Sequence, residues 1–243
     1  MNERAILSDR TNPVPLLSLR IFTAMANTIE LNATDGHHLA AYLAEPIGKP
    51  RGAVVVVQEI FGVTRHIRDV ADQYAAAGYL AIAPALFDRV ERNVDVPYTD
   101  FPRAIGYMNA MNKDLVMLDL GAAIARVSKA GKVGMVGYCW GGAMTYLAAA
   151  RLNIAAAVAY YGGGINTLLA EKPRVPVLFH FGEKDTHIPL SAVDAIKAAY
   201  PEGTYYIYPA DHGFNCTHRP SFNAESALLA LARSLEFFYR NLG

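Results

Sequence analysis

Polar and apolar positions alternate near the start of this chain, and then the alternation stops. Residues 27–34 and 38–44 flank Asp35-Gly36, a dipeptide that favours a tight turn, and together they predict an N-terminal β-hairpin. Residues 53–57 are an unbroken apolar and largely β-branched run, the pattern of a parallel strand buried on both faces. Over 63–77 the apolar residues Ile67, Val70, Tyr74 and Ala77 recur at helical spacing. That pattern halts at Gly78, a favoured helix terminator. A short strand over 79–83 ends at Pro84.

Residues 87–102 are polar and irregular, contain Pro97, and read as a surface loop. One long helical pattern follows, up to a strand over 132–136, and a helix rich in small residues occupies 143–151. Strands over 154–160, 175–181 and 204–208 alternate with helices over 190–200 and 222–241. The last helix carries Leu228, Leu231, Leu235, Phe238 and Leu242 along one predicted apolar face. Strand–helix alternation of this kind predicts an α/β fold, a mostly parallel sheet with helices on both faces. No linker or repeat divides the chain, so residues 25–243 read as one domain and residues 1–24 as an irregular extension. Met25, directly before the first strand, is a candidate natural start. Arg20 interrupts the moderately apolar stretch 16–25, and Glu3 and Asp9 precede it, unlike a signal peptide.

Composition narrows the function. A chain of 243 residues, 53% hydrophobic and 18% charged, can build a core without disulfides or metals. Its 22 basic and 22 acidic residues argue for neither nucleic acid nor an anionic membrane as partner. No apolar run approaches the ~20 residues that span a bilayer. Two cysteines, Cys139 and Cys216, suit a reducing, cytoplasmic compartment. They lie far apart and the histidines are scattered, so no linear metal-ligand motif is present. Gly162-Gly163-Gly164 lacks the Lys-Ser/Thr ending of a phosphate loop. The expectation is a protein without metal or cofactor, a monomer or weak homo-oligomer acting on a small molecule.

The chemistry concentrates in Gly137-Tyr138-Cys139-Trp140-Gly141. A Gly-x-Cys-x-Gly turn between a strand and a helix is the pattern of a nucleophile elbow, with a thiol in place of a serine hydroxyl. The bland alternative is a small cysteine packed in the core. A thiol nucleophile needs a base, and the base needs an orienting partner. Downstream, Asp185 follows one strand and His212 follows the last, the order nucleophile, acid, histidine. His180 falls inside a strand and reads as a core or supporting residue, while His187 and His218 read as solvated loop side chains. The backbone N–H groups of Trp140 and Ile60 are the candidate oxyanion donors. Glu59 is either a surface turn residue or a buried carboxylate that needs a partner.

These segments resemble the dienelactone hydrolase (carboxymethylenebutenolidase) family, within the α/β-hydrolase fold. The resemblance runs from about Met25 to the C-terminus. It rests on Gln58-Glu59-Ile60-Phe61-Gly62, Pro84-Ala85-Leu86-Phe87, Gly137 to Gly142, Tyr160-Tyr161-Gly162, Gly182-Glu183-Lys184-Asp185 and Asp211-His212-Gly213-Phe214. It implies a Cys139–His212–Asp185 triad that opens an enol-lactone through a thioester to give maleylacetate-type products. It also implies that Glu59 interacts with the resting thiol and helps generate the thiolate. Two arginines hold the substrate carboxylate in the family. Arg89 matches the first; the position of the second, four residues after His212, is Cys216, with Arg219 three residues further on. The sequence therefore leaves three readings: a dienelactone-type hydrolase, a broader esterase for neutral esters with a remodelled anion site, and a non-catalytic binding scaffold.

Overall fold

A computed structural model describes residues 26–243; the expectations for residues 1–24 and Met25 fall outside them. Eight strands form one sheet in the order β1-β2-β4-β3-β5-β6-β7-β8. β1 (Ala26–Asn32) and β2 (His38–Ala44) are the antiparallel hairpin, and β2 continues antiparallel to β4 (Leu80–Pro84). β3 (Ala53–Val57), β5 (Val133–Tyr138), β6 (Ala156–Tyr160), β7 (Val177–Gly182) and β8 (Thr204–Tyr208) all run parallel to their neighbours. Every residue of β3, β5 and β6 is buried, which is why their sequences carry no alternation. This is the α/β-hydrolase fold expected from the alternating elements.

Six α-helices flank the sheet: α1 (Arg65–Ala76), α2 (Phe101–Ala110), α3 (Lys113–Val127), α4 (Trp140–Arg151), α5 (Leu190–Ala199) and α6 (Ala224–Leu242). Three departures from the sequence reading matter. The stretch 87–102 begins with a 3-10 turn at Leu86–Arg89, and its end already belongs to α2, with Pro102 in the first turn where no N–H is needed. The single long helix before β5 is two helices, α2 and α3. Asn112 divides them, its side chain capping Asp114 N–H at 2.8 Å and Leu115 N–H at 3.3 Å.

The third departure is on α6. Leu228 is 71% exposed, while Ala227, Ala230, Ser234 and Phe238 are buried. The small side chains let the helix lie close to the sheet, and Phe238 packs edge-on against Tyr74 and Tyr79. No described helix is long and apolar enough to cross a membrane.

Candidate active site

Cys139 links the last residue of β5 to the first of α4. Its backbone is forced into φ 56°, ψ −121°, a region costly for a residue with a Cβ. Two glycines make that turn possible. A Cβ on Gly137 would lie 2.0 Å from the Gly141 carbonyl oxygen, and one on Gly141 would lie 2.3 Å from the Gln58 oxygen and 2.6 Å from the Val57 oxygen. The turn thus presses against the end of β3, and the thiol is held above the carboxyl edge of the sheet.

His212 and Asp185 arrive from the loops after β8 and β7. His212 Nε2 lies 3.1 Å from Cys139 Sγ, and His212 Nδ1 lies 2.7 Å from an Asp185 carboxylate oxygen. The other Asp185 oxygen accepts hydrogen bonds from the backbone N–H groups of His187 and Ile188, at 2.8 and 3.0 Å. This fixes the carboxylate and hence the plane of the imidazole. Burial works against a charged His212. The Cys139 charge and the hydrogen bonds to Asp185 and Cys139 outweigh it, and push the pKa up to about 10.

The other histidines sort out differently from one another. His180 is buried in β7, with Nδ1 2.8 Å from Tyr208 Oη and Nε2 2.9 Å from Ser234 Oγ, so it is a core residue. His218 is exposed, as expected of a loop side chain. His187 is exposed too, but its ring meets that of His212 edge-on at 5.1 Å and it lines the site. Tyr161, singled out only as part of a motif, packs its ring 5.2 Å from His212 with an unusual φ of 35°.

A pocket of about 560 Å³ opens over Cys139. Ile60 and Trp140 both line it. Trp140 is the first residue of α4, so its N–H has no partner within the helix. Among the described residues no main-chain acceptor takes the Ile60 N–H. Most of the remaining wall is apolar: Phe61, Phe101, Ile105, Met108, Met111, Met144 and Leu168. α2 supplies much of it, which the sequence reading did not anticipate.

The predicted carboxylate-binding Arg89 is not in this pocket. It forms a two-pronged ion pair with Asp119 of α3, both contacts at 2.7 Å, and reaches Asp35 of the hairpin turn at 2.9 Å. The Asp119 side chain is fully buried, so the guanidinium is committed to neutralising it. Two cations do line the pocket: Lys113, exposed at the start of α3, and Arg219, half-buried with its guanidinium over the rings of Phe61 and Phe101.

Glu59 is buried, which resolves its two readings against a surface turn. Neither carboxylate oxygen meets a hydrogen-bond donor among the described residues; Arg219 Nη1 is 3.7 Å away. Burial pushes the Glu59 pKa up, with Arg219 and then His212 opposing. The thiol faces His212, and among the described residues no hydrogen bond joins it to Glu59. Cys216, at the position of the family's second arginine, is buried beside this group, and burial pushes its thiol up to about 11.

An elbow at the carboxyl edge of a parallel sheet, with an acid and a histidine in later loops, defines the class as an α/β-hydrolase. The chain belongs to the dienelactone hydrolase family, whose sequence model matches residues 39–242. It is 36% identical over 230 residues to a protein of Azospirillum brasilense named putative carboxymethylenebutenolidase, covering 88% of this chain and 99% of that one. A relative of the same name from Yersinia pestis is 37% identical over 228 residues, covering 84% and 85%. Among solved structures, a putative dienelactone hydrolase from Klebsiella pneumoniae superposes with a TM-score of 0.81 at 32% identity, covering 88% of this chain and 98% of that chain. A dienelactone hydrolase-like promiscuous phosphotriesterase from metagenomic libraries shares the fold at 20% identity, with a TM-score of 0.71, covering 90% and 99%. By family the protein is a hydrolase.

Proposed function

We propose that this protein, one α/β-hydrolase domain over residues 25–243, opens a small lactone or ester through a thioester on Cys139. The observation that carries the reading is the unbroken line from Cys139 through His212 to Asp185 at the floor of an apolar pocket. His212 Nε2 takes the thiol proton, and the thiolate adds to the substrate carbonyl carbon. The carbonyl oxygen becomes an oxyanion, met by the N–H groups of Ile60 and Trp140; losing one such donor typically raises the barrier by ~2.7–4 kcal/mol. When the C–O bond breaks, the imidazolium returns its proton to the leaving oxygen. Water, deprotonated by His212, then attacks the thioester, and the acid leaves with Cys139 restored.

Glu59 and Arg219 give this site a second layer. Among the described residues Arg219 is the arginine paired with the buried Glu59 carboxylate, 3.7 Å away in the pocket wall. A substrate carboxylate that draws on the same guanidinium leaves Glu59 less compensated, and its charge then favours the protonated His212 that has taken the thiol proton. The best-supported substrate is therefore a small enol-lactone bearing one carboxylate. A second reading, an esterase for neutral esters, is favoured by the apolar wall and by Arg89's absence from it.

Three measurements test this. Cys139→Ala should abolish turnover while keeping the fold, and a slow aryl ester should leave its acyl mass on Cys139 of the wild type. Wild-type turnover by the variant would overturn the assignment. Arg219→Ala should raise KM for an acidic lactone about 10-fold or more while sparing its methyl ester, since a charge-assisted hydrogen bond contributes about 1.5–3 kcal/mol. Equal loss on both substrates would favour the neutral-ester reading.

A further inference from the structure

Behind the catalytic thiol lies a group of side chains that the hydrolytic steps leave partly unused. Glu59 follows β3, His66 sits in the first turn of α1, and Cys216 lies in the turn after His212. One ligand atom from each comes within 4.8 Å of the others. All three residues are buried, Glu59 at 1% and His66 at 3% exposure. Both Glu59 oxygens and His66 Nε2 are without a hydrogen-bond partner among the described residues. A buried carboxylate and a buried imidazole nitrogen left unpartnered beside a thiol are costly unless something satisfies them together.

A carboxylate, an imidazole and a thiolate are a donor set for a zinc-class cation. We infer that Glu59, His66 and Cys216 form a binding site for a divalent zinc-like ion, with its fourth position left for water or another ligand. Bonds of ~2.0–2.3 Å place tetrahedral ligands ~3.3–3.8 Å apart. Donor atoms up to 4.8 Å apart therefore close by about 1–1.5 Å on binding. The thiol proton of Cys216 leaves to solvent as the metal–sulfur bond forms. Arg219 opposes the ion at 3.7 Å from Glu59, and it is the group that must yield.

One of the donors borders open solvent. A cleft of about 530 Å³, separate from the catalytic pocket, is lined by His66 itself, by Asn215 and Thr217 on either side of Cys216, and by Asp69 and Asp72. The two aspartates bring negative charge to its lining, opposed by Arg65, which pairs with Asp69 at 2.6 Å. The cleft brings solvent to His66, which borders it, and Cys139 is not part of its lining. An ion there holds the Glu59 carboxylate and displaces Arg219, so it competes with their proposed part in substrate binding, while the Cys139–His212–Asp185 line stands apart from it.

The chain has only two cysteines, which makes the test selective. In Cys139→Ala protein, Cys216 alone can supply a thiolate. Titrating that protein with Co²⁺ should give one bound equivalent and a thiolate-to-cobalt charge-transfer band, which Zn²⁺ abolishes by displacement. Adding Cys216→Ser should remove the band. His66→Phe, which keeps the ring volume, should weaken binding at least about 10-fold. Lack of the band in Cys139→Ala, or its survival after Cys216→Ser, would overturn the site. Should Cys216→Ser fail to fold, unchanged affinity in His66→Phe would overturn it as well. Cys139→Ala is inactive under the proposed mechanism, so failure of the metal site leaves the hydrolase reading untouched.

Discussion

Arg89 illustrates how one residue can match a motif and serve another purpose. Its guanidinium holds a fully buried Asp119, so removing it strands that charge. Arg89→Ala should therefore cost about 3–5 kcal/mol of stability, read by chemical denaturation, because a buried carboxylate is left uncompensated. KM for a carboxylate-bearing substrate should stay near the wild-type value once the variant is measured well below its melting temperature. A selective rise in KM with unchanged stability would restore Arg89 to the substrate site. Nothing local to Arg89 in the sequence announced this pairing. Asp119 is 30 residues later and Asp35 is 54 earlier, so only the fold brings them together. Cys139, Asp185 and His212 were legible for the opposite reason: each sits in a short turn whose glycines, prolines and strand ends fix its place.

At the scale of elements, β7 is tied to its neighbours through His180. Its ring links Tyr208 of β8 to Ser234 of α6, and Ser234 also meets Tyr160 of β6 at 2.8 Å. Burial, with Arg233 adding to it, lowers the His180 pKa to about 3. In the unfolded chain an imidazole titrates near ~6.5, so below that pH the unfolded state binds the proton that the folded state refuses. Stability should fall as pH drops from about 6.5 toward 3. Melting temperatures across this window should show the decline, and His180→Asn should flatten part of it. An unchanged slope would mean that other groups set the acid limit. The same network explains why Leu228 of the expected α6 stripe faces solvent, while Phe238 and Leu242 are buried and Leu231 and Leu235 pack against the core. A leucine count favours Leu228 and Leu231, whereas the sheet accepts Ala230 and Ser234, which are small enough for close approach. For α2 and α3 the available signal was Asn112, a good N-cap in a stretch with no glycine or proline to mark the break.

Taken whole, the molecule has equal numbers of basic and acidic residues and concentrates little charge at the pocket beyond Lys113 and Arg219. Without a net field there is little long-range steering. For an anionic lactone, kcat/KM should change less than ~3-fold between low and physiological salt, where steered associations change by ~10-fold or more. A steep salt dependence would reveal a local field that the balanced total conceals. The global architecture was the most legible layer of all, because the switch from period-two alternation to solid apolar runs encodes where an antiparallel hairpin ends and a parallel sheet begins.

The contact of Gly141 with the carbonyls of Val57 and Gln58 reaches beyond local geometry. It locks the thiol turn to the loop bearing Ile60 by main-chain atoms alone, whereas α2 borders the pocket with exchangeable side chains. Reactivity and selectivity therefore sit on separable parts. Over evolutionary time, or in a laboratory library, the wall can drift toward new esters while the machinery beneath it is inherited intact.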